Sequence, residues 1–308
     1  MSEMKKFQGW IQPAGFPSLP SDWKSEWETV QSADGAVQIF VANLHATPWE
    51  SPKAILMVHG MGEHGGRYLH LPHYLKNSVN AIYAIDHRGH GRSEGIRGHA
   101  ERFDDFADDV RMMVKRIDAT LTQRFGKSEI HLVGHSLGGL IALRSVLIGE
   151  ALPIRSLTVS APLLGVKVPL GLPKRVAAQV LSRIWGKVQM ASEVDPRILS
   201  HDPNVAEAYT ADRLVHSKGT PKFYTEMLKA IHQTLPCDSG IDVPFLMILP
   251  GKDQIVDSVA AHQFFDRLKS PKKVLKEYPE FFHESFNEIG KEQVFSDLAA
   301  FLSEASNG

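Results

Sequence analysis

The chain has 308 residues, 43% of them apolar, and carries 34 Lys and Arg against 35 Asp and Glu. That length is generous for one domain and short for two large ones, so one domain with an insertion is expected around a sizeable core. A net charge near zero, with no basic run interleaved with aromatics, excludes the footprint of a nucleic-acid binder, and the single cysteine, Cys237, excludes an internal disulfide framework.

The stretch from Met1 to Pro20 lacks the continuous apolar core of a secretory signal, and no run approaches the roughly 18 apolar residues of a spanning helix. A cytoplasmic protein is expected, soluble or at most peripheral to a membrane. Trp27–Val30 and Val37–Val41 flank an Asp34-Gly35 turn and read as an opening antiparallel hairpin. Short apolar runs follow at Ala54–His59, Ala81–Asp86, Ile130–Val133 and Leu157–Ser160, separated by segments of helical spacing. Among these, Phe103, Phe106, Val110, Val114 and Ile117 predict an amphipathic helix over Asp104–Leu121. Strands alternating with helices predict an α/β fold with a mostly parallel sheet and helices on both faces.

From Leu163 to about His232 no strand-like run is evident, and Pro169, Pro173, Pro196, Pro203 and Pro221 punctuate helical segments. The expected organisation is therefore a core over residues 1–162, a helical cap over 163–232, and the rest of the core over 233–308. In that last part Val243–Leu249 and Lys273–Tyr278 read as strands, with helices over Ser258–Leu268 and Lys291–Leu302.

Gly134-His135-Ser136-Leu137-Gly138 is the pentapeptide that points to chemistry. The bare G-x-S-x-G pattern also occurs by chance in caps and loops. Here the run Ile130–Val133 leads into it and Leu140-Ile141-Ala142-Leu143 follows, which is the strand-to-helix context of a nucleophile elbow. Such a serine needs an imidazole to take its proton and a carboxylate to orient that imidazole. In doubly wound hydrolases the order along the chain is serine, acid, histidine, with the last two on loops after later strands. Asp253 follows the strand ending at Leu249, and His283 follows the one ending at Tyr278. Asp257 falls where a helix should already begin, Asp242 precedes its strand, and His262 lies on a helix, so Ser136, Asp253 and His283 are the expected triad.

The glycine-rich loop His59-Gly60-Met61-Gly62-Glu63-His64-Gly65-Gly66 follows a strand and suits backbone donation to a bound group. It lacks G-x-G-x-x-G spacing with an acidic ribose partner, so the N–H groups of Met61 and Leu137 are expected to form an oxyanion hole rather than a phosphate cradle. Asp86-His87-Arg88-Gly89-His90-Gly91-Arg92-Ser93 has the histidines of a metal site without a paired acidic or cysteine ligand set, and reads as a structural turn.

These segments resemble the monoacylglycerol lipase and lysophospholipase branch of the α/β-hydrolases. The resemblance rests on the loop from His59 through Tyr68, the run Asp86–Gly95, the elbow, Asp253-Gln254-Ile255-Val256, and His283-Glu284 with Asn287-Glu288. Leu199–Pro203 and Leu214-Val215-His216 extend it into the cap. It implies the α/β-hydrolase fold, the same triad, a lipid ester as substrate, and a similar lid. The chemistry requires no metal or organic cofactor. Val176, Val180, Ile184 and Trp185 on one face of a cap helix are candidates for substrate binding or for peripheral membrane contact. A general esterase or a serine aminopeptidase of this fold would use the same triad, and a non-catalytic binding protein would have no need of it. Dehalogenase or epoxide hydrolase chemistry wants a carboxylate at the elbow.

Overall fold

The computed structural model describes residues 5–6, 12–167, 172–191, 194–236 and 240–307, apart from the side chains of 5–6 and 172–177. Cys237 and the side chain of Val176 thus lie outside the described residues. The strands are β1 (Lys5–Lys6), β2 (Trp23–Gln31), β3 (Gln38–Ala46), β4 (Lys53–Val58), β5 (Ala81–Ile85), β6 (Glu129–His135), β7 (Ser156–Ser160), β8 (Met190–Ala191), β9 (Lys218–Gly219), β10 (Phe245–Pro250) and β11 (Lys273–Tyr278). The helices are α1 (Leu71–Leu75), α2 (Asp104–Phe125), α3 (Leu137–Leu147), α4 (Leu172–Ile184), α5 (Pro203–Ala211), α6 (Pro221–Thr234), α7 (Ser258–Arg267) and α8 (Lys291–Asn307). Among the described residues, nine strands form one sheet in the order β1-β2-β3-β5-β4-β6-β7-β10-β11. Pairing is antiparallel from β1 to β5 and parallel from β5 onward. The expected α/β-hydrolase architecture, with its antiparallel opening, is the one observed.

Strands β4, β5 and β10 read as nearly unbroken apolar runs because both faces of the sheet are covered, whereas β6 and β7 interleave apolar residues with buried His131, Ser156 and Thr158. Period-two alternation divides them: Ala54, Leu56 and Val58 of β4 join one core layer and Ile55 and Met57 the other. Likewise Phe245, Met247 and Leu249 of β10 face one side, while Leu246 and Ile248 face the other. The first layer is closed by α2, α3, α6 and α7 through residues such as Phe106, Leu140, Phe223 and Phe264. The second is closed by α1 and α8 through Leu71, Leu75, Phe295 and Leu298. Each fully buried Leu or Phe contributes about 1.5–3 kcal/mol over leaving it exposed.

Local signals fix the helix ends. Asp104 and Asp105 sit in the first turn of α2, where the helix dipole favours negative charge, and Gly126 closes it at φ 75°. Pro203 and Pro221, read from the sequence as punctuation, stand at the first positions of α5 and α6 behind the capping side chains Asp202 and Thr220. The short antiparallel pair β8 and β9 inside the 163–232 stretch was not expected. A two-residue strand carries no periodicity, and its partner lies far along the chain.

Register sets the site. Ile85, Val58, Gly134, Val159, Met247 and Leu275 stand level across the sheet, each paired with the next. The loops that leave β4, β6, β10 and β11 therefore emerge at one rim, which is where the loop after β4, Ser136, Asp253 and His283 lie.

Candidate active site

Ser136 joins β6 to α3 at φ 55°, a left-handed conformation that a non-glycine residue adopts only under strain. The strain is held by its neighbours: Ser136 N donates to Ser160 O at 2.9 Å, and Ser136 O accepts from Gly139 N and Leu163 N. The flanking glycines are obligatory for close approach. A Cβ on Gly138 would lie 2.1 Å from Val58 O, and one on Gly134 would lie 2.4 Å from Gly138 O. Leu137 opens α3, so its N–H is one of the helix-start donors without a partner inside the helix.

His283 Nδ1 lies 2.7 Å from Asp253 Oδ2, and both side chains are buried. The other carboxylate oxygen, Oδ1, accepts from Ile255 N at 2.7 Å and Val256 N at 3.1 Å, which fixes the rotamer of Asp253. Burial by itself would raise the Asp253 carboxyl, but the His283 imidazole and these backbone donors hold it below the usual carboxylate value. For His283, burial favours the neutral ring, yet Asp253 first, and then Glu284 and Glu63, raise it above the ordinary 6.5. Asp257, the competing acid, caps α7 by accepting from Val259 N, and His262 is a half-buried partner of Glu277.

Ser136, His283, Met61, His135, Tyr209 and Ile255 line one cavity of about 60 Å³, room for only a water or two. Val180, Ile184 and Trp185 do not line it. They lie on the outer surface, Ile184 and Trp185 each 65% exposed.

Sequence reasoning assigned no role to the ion network that walls the cavity. Arg67 donates to both oxygens of Glu284, at 2.6 and 2.8 Å, and to Glu63 Oε2 at 2.6 Å. Glu63 Oε1 accepts from Gly60 N at 2.6 Å and from Tyr68 Oη at 2.8 Å, and Asn287 completes Glu284. The only local signal was the i, i+4 spacing of Glu63 and Arg67; Glu284 is 217 residues from Arg67. His135 packs 4.8 Å from the His283 ring and is driven down to about 3 chiefly by burial, so it stays neutral. In the 86–93 turn, His59 Nε2 accepts from His87 N, His87 Nε2–H donates to His59 O, and Asp86 accepts from Gly65 N and Arg92 N. Hydrogen bonds of this kind fasten one loop to the next.

The sheet order, the strained serine between strand and helix, and the rim that gathers the loops define an α/β-hydrolase. The sequence model of the family described as serine aminopeptidase, S33, matches residues 50–290, and the chain belongs to that family. It is 31% identical over 247 residues to the monoglyceride lipase of Mus musculus, covering 79% of each chain. An uncharacterized abhydrolase domain-containing protein of Dictyostelium discoideum is 28% identical over 260 residues, 84% of this chain but only 27% of that longer protein. The crystal structure of the monoacylglycerol lipase of Paleococcus ferrophilus superposes with a TM-score of 0.71 at 27% identity, over 87% of this chain and 99% of that one.

Proposed function

We propose that this chain cleaves carboxylic esters of lipids, monoacylglycerols or lysophospholipids, through an acyl-enzyme on Ser136. The observation that carries the reading is the 2.7 Å contact of Asp253 with His283 Nδ1 on the wall of the cavity that Ser136 also lines. With Nδ1 occupied, Nε2 is the nitrogen that takes the serine proton as Oγ attacks the ester carbonyl. The N–H groups of Met61 and Leu137 stabilise the tetrahedral oxyanion, and the imidazolium returns its proton to the departing alkoxide. Water then adds to the acyl-enzyme by the same route, releasing the fatty acid and restoring Ser136.

The monoglyceride lipase and monoacylglycerol lipase relatives support a lipid ester. An aminopeptidase reading needs a carboxylate ready for a free amine. Among the described residues, Glu63 and Glu284 are the carboxylates that line the cavity, and both are instead engaged by Arg67, Tyr68, Gly60 N and Asn287. A simple carboxylesterase would use identical machinery and differs only in acyl preference.

We read residues 163–232 as a cap that must shift to admit an acyl chain, since drug-sized ligands occupy pockets of about 300–1,000 Å³. Val180, Ile184, Trp185, Val188 and Met190 are exposed on it, with Arg183 and Lys187 nearby, which suits peripheral contact with a lipid surface from the cytoplasmic side. Among the described residues no helix is long and apolar enough to cross a membrane. Labelling with a fluorophosphonate, followed by hydrolysis of monoacylglycerols, lysophospholipids, simple esters and aminopeptidase substrates, tests the whole reading. The wild-type chain should label and release fatty acid, and Ser136→Ala should lose activity by a factor of about 10⁶. An active, unlabelled Ser136→Ala protein refutes it.

A further inference from the structure

The loops that carry the proposed chemistry are each fastened to the stretch between β7 and β10. At the acid loop, Val166 bridges Val256 and Lys167 Nζ donates to Asp253 O at 2.7 Å. At the base loop, the buried Glu288 carboxylate accepts from Ser200 Oγ and His201 N on one side and from Phe282 N, next to His283, on the other. At the loop after β4, His216 N donates to Gly62 O at 2.8 Å, and His64 lies 2.9 Å from Asp212 Oδ2 through Nε2. His64 Nδ1 accepts from Gly66 N, so Nε2 bears the proton and donates it to the carboxylate.

The last of these fastenings brackets Met61. On one side Gly60 N is held by Glu63, and on the other Gly62 O is held by His216. Gly62 has φ +75°, and a Cβ there would lie 2.4 Å from His216 O, so the two segments touch backbone to backbone. A loop with glycines at 60, 62, 65 and 66 has little rigidity of its own. Glu63 pins Gly60 N from within the loop and Asp86 holds Gly65 N from the core; Asp212 and His216 hold the loop from outside the core. An oxyanion donor is effective only within a few tenths of an ångström of its place, so whatever fixes this loop fixes catalysis.

We propose that residues 212–216 are a positioning element for the oxyanion loop, with Asp212 acting through His64 to place the Met61 N–H. This deepens the serine-hydrolase reading and rests on it. Asp212 touches no reacting atom; it is a positioning residue, and both it and His64 are buried. Seating of this segment on the loop completes the hole, whereas the C-terminal end of α4 is exposed at Ile184.

The test compares wild type, Asp212→Ala and Asp212→Asn as full-length protein on p-nitrophenyl butyrate and on its thiono analogue, in which sulfur replaces the carbonyl oxygen. Sulfur is a weak hydrogen-bond acceptor, so only the oxygen ester profits from a well-placed donor. Loss of one oxyanion donor costs about 10²–10³ in kcat, so a displaced one in Asp212→Ala should cost about 10–100-fold, with KM moving less than about threefold. The oxo-to-thiono rate ratio should fall on the order of tenfold for the same reason. Asp212→Asn has one acceptor oxygen for two donors, Leu214 N and His64 Nε2–H, so it should lose kcat in the same direction as Asp212→Ala and by no more. A kcat within about twofold of wild type in Asp212→Ala, or a loss shared equally by the two esters, overturns the positioning role. Thermal midpoints are recorded beside the rates, and where Asp212→Ala does not fold, Asp212→Ser is measured by the same criteria. A wild type that resists fluorophosphonate refutes the serine-hydrolase reading instead, whereas a labelled wild type with an unmoved ratio in the variant refutes only this inference.

Discussion

Asp253→Asn replaces one oxygen by an NH₂ group, and the structure dictates where that group must go. Oδ1 is claimed by two backbone donors, Ile255 N and Val256 N. The amide oxygen has to take that place, which turns the NH₂ toward His283 Nδ1, where the wild-type carboxylate lies at 2.7 Å. Donor would then face donor, so the imidazole must move its proton to Nε2 and present Nδ1 as the acceptor. In that tautomer Nε2 cannot take the proton of Ser136. Loss of the correct tautomer in a serine triad costs about 10⁴ in kcat, or roughly 5.5 kcal/mol of transition-state stabilisation. The variant should fold, since it preserves shape and both backbone hydrogen bonds. Steady-state hydrolysis of p-nitrophenyl butyrate from pH 5 to 9 measures the effect. The base must be neutral, so wild-type kcat/KM should rise with pH through a value above 6.5, because burial, which alone would lower His283, is outweighed by Asp253 together with Glu284 and Glu63. With the carboxylate gone, that acid limb should move to lower pH. A variant within tenfold of wild type, titrating at the wild-type position, refutes the reasoning.

Gly138→Ala should disable the elbow, because its Cβ would fall 2.1 Å from Val58 O and 2.4 Å from His59 O. Both are backbone atoms that cannot swing aside, and overpacking of this kind costs about 1–3 kcal/mol. A lowered melting temperature together with lost fluorophosphonate labelling is expected, and unchanged labelling contradicts it. His70 and His135 are held down to about 3, and His87, His131 and His216 to about 4, in each case chiefly by burial. Unfolding lets each bind a proton that the folded state refuses, so stability is full above pH 6.5 and is lost as pH falls toward 4. Unfolding midpoints measured from pH 7 to 4.5 should decline steadily, and a flat profile is the contrary result. Trp185→Asp should weaken co-sedimentation with liposomes if the exposed cap surface meets lipid, since Trp185 is 65% exposed; unchanged binding removes that surface from the proposal.

Much of the fold is legible because the physics that writes it is local. Level strands buried on both faces are dominated by apolar residues, so β4, β5 and β10 announce themselves as unbroken runs and β6 and β7 as shorter ones interleaved with buried His131, Ser156 and Thr158, and the antiparallel opening shows as alternation about the Asp34-Gly35 turn. Asp257 falls at a helix start and is found capping α7. The elbow is readable because few residue types tolerate so tight a reversal, and the clash distances at Gly134 and Gly138 state that requirement in ångströms.

What only the tertiary structure decides is how distant groups satisfy one another. Glu63, Arg67 and Glu284 are ordinary charges in the sequence and become a buried network through contacts across 217 positions. Helix α4 and the residues after it show an apolar stripe whether it lines a pocket or faces outward, since periodicity fixes a face but not its neighbour. Val180, Ile184 and Trp185 lie at the surface. Asp212 and Glu288 acquire meaning only when the chain returns to the rim and lends them His64, Phe282 and His201. The sequence by itself therefore determines the scaffold and the strained serine, because backbone sterics and burial act within a few residues, and it orders Asp253 and His283 as the partners proposed for that serine. The hydrogen bonds that hold those partners in place arise only on folding, when a carboxylate removed from water must find its donors among whichever groups the fold brings beside it.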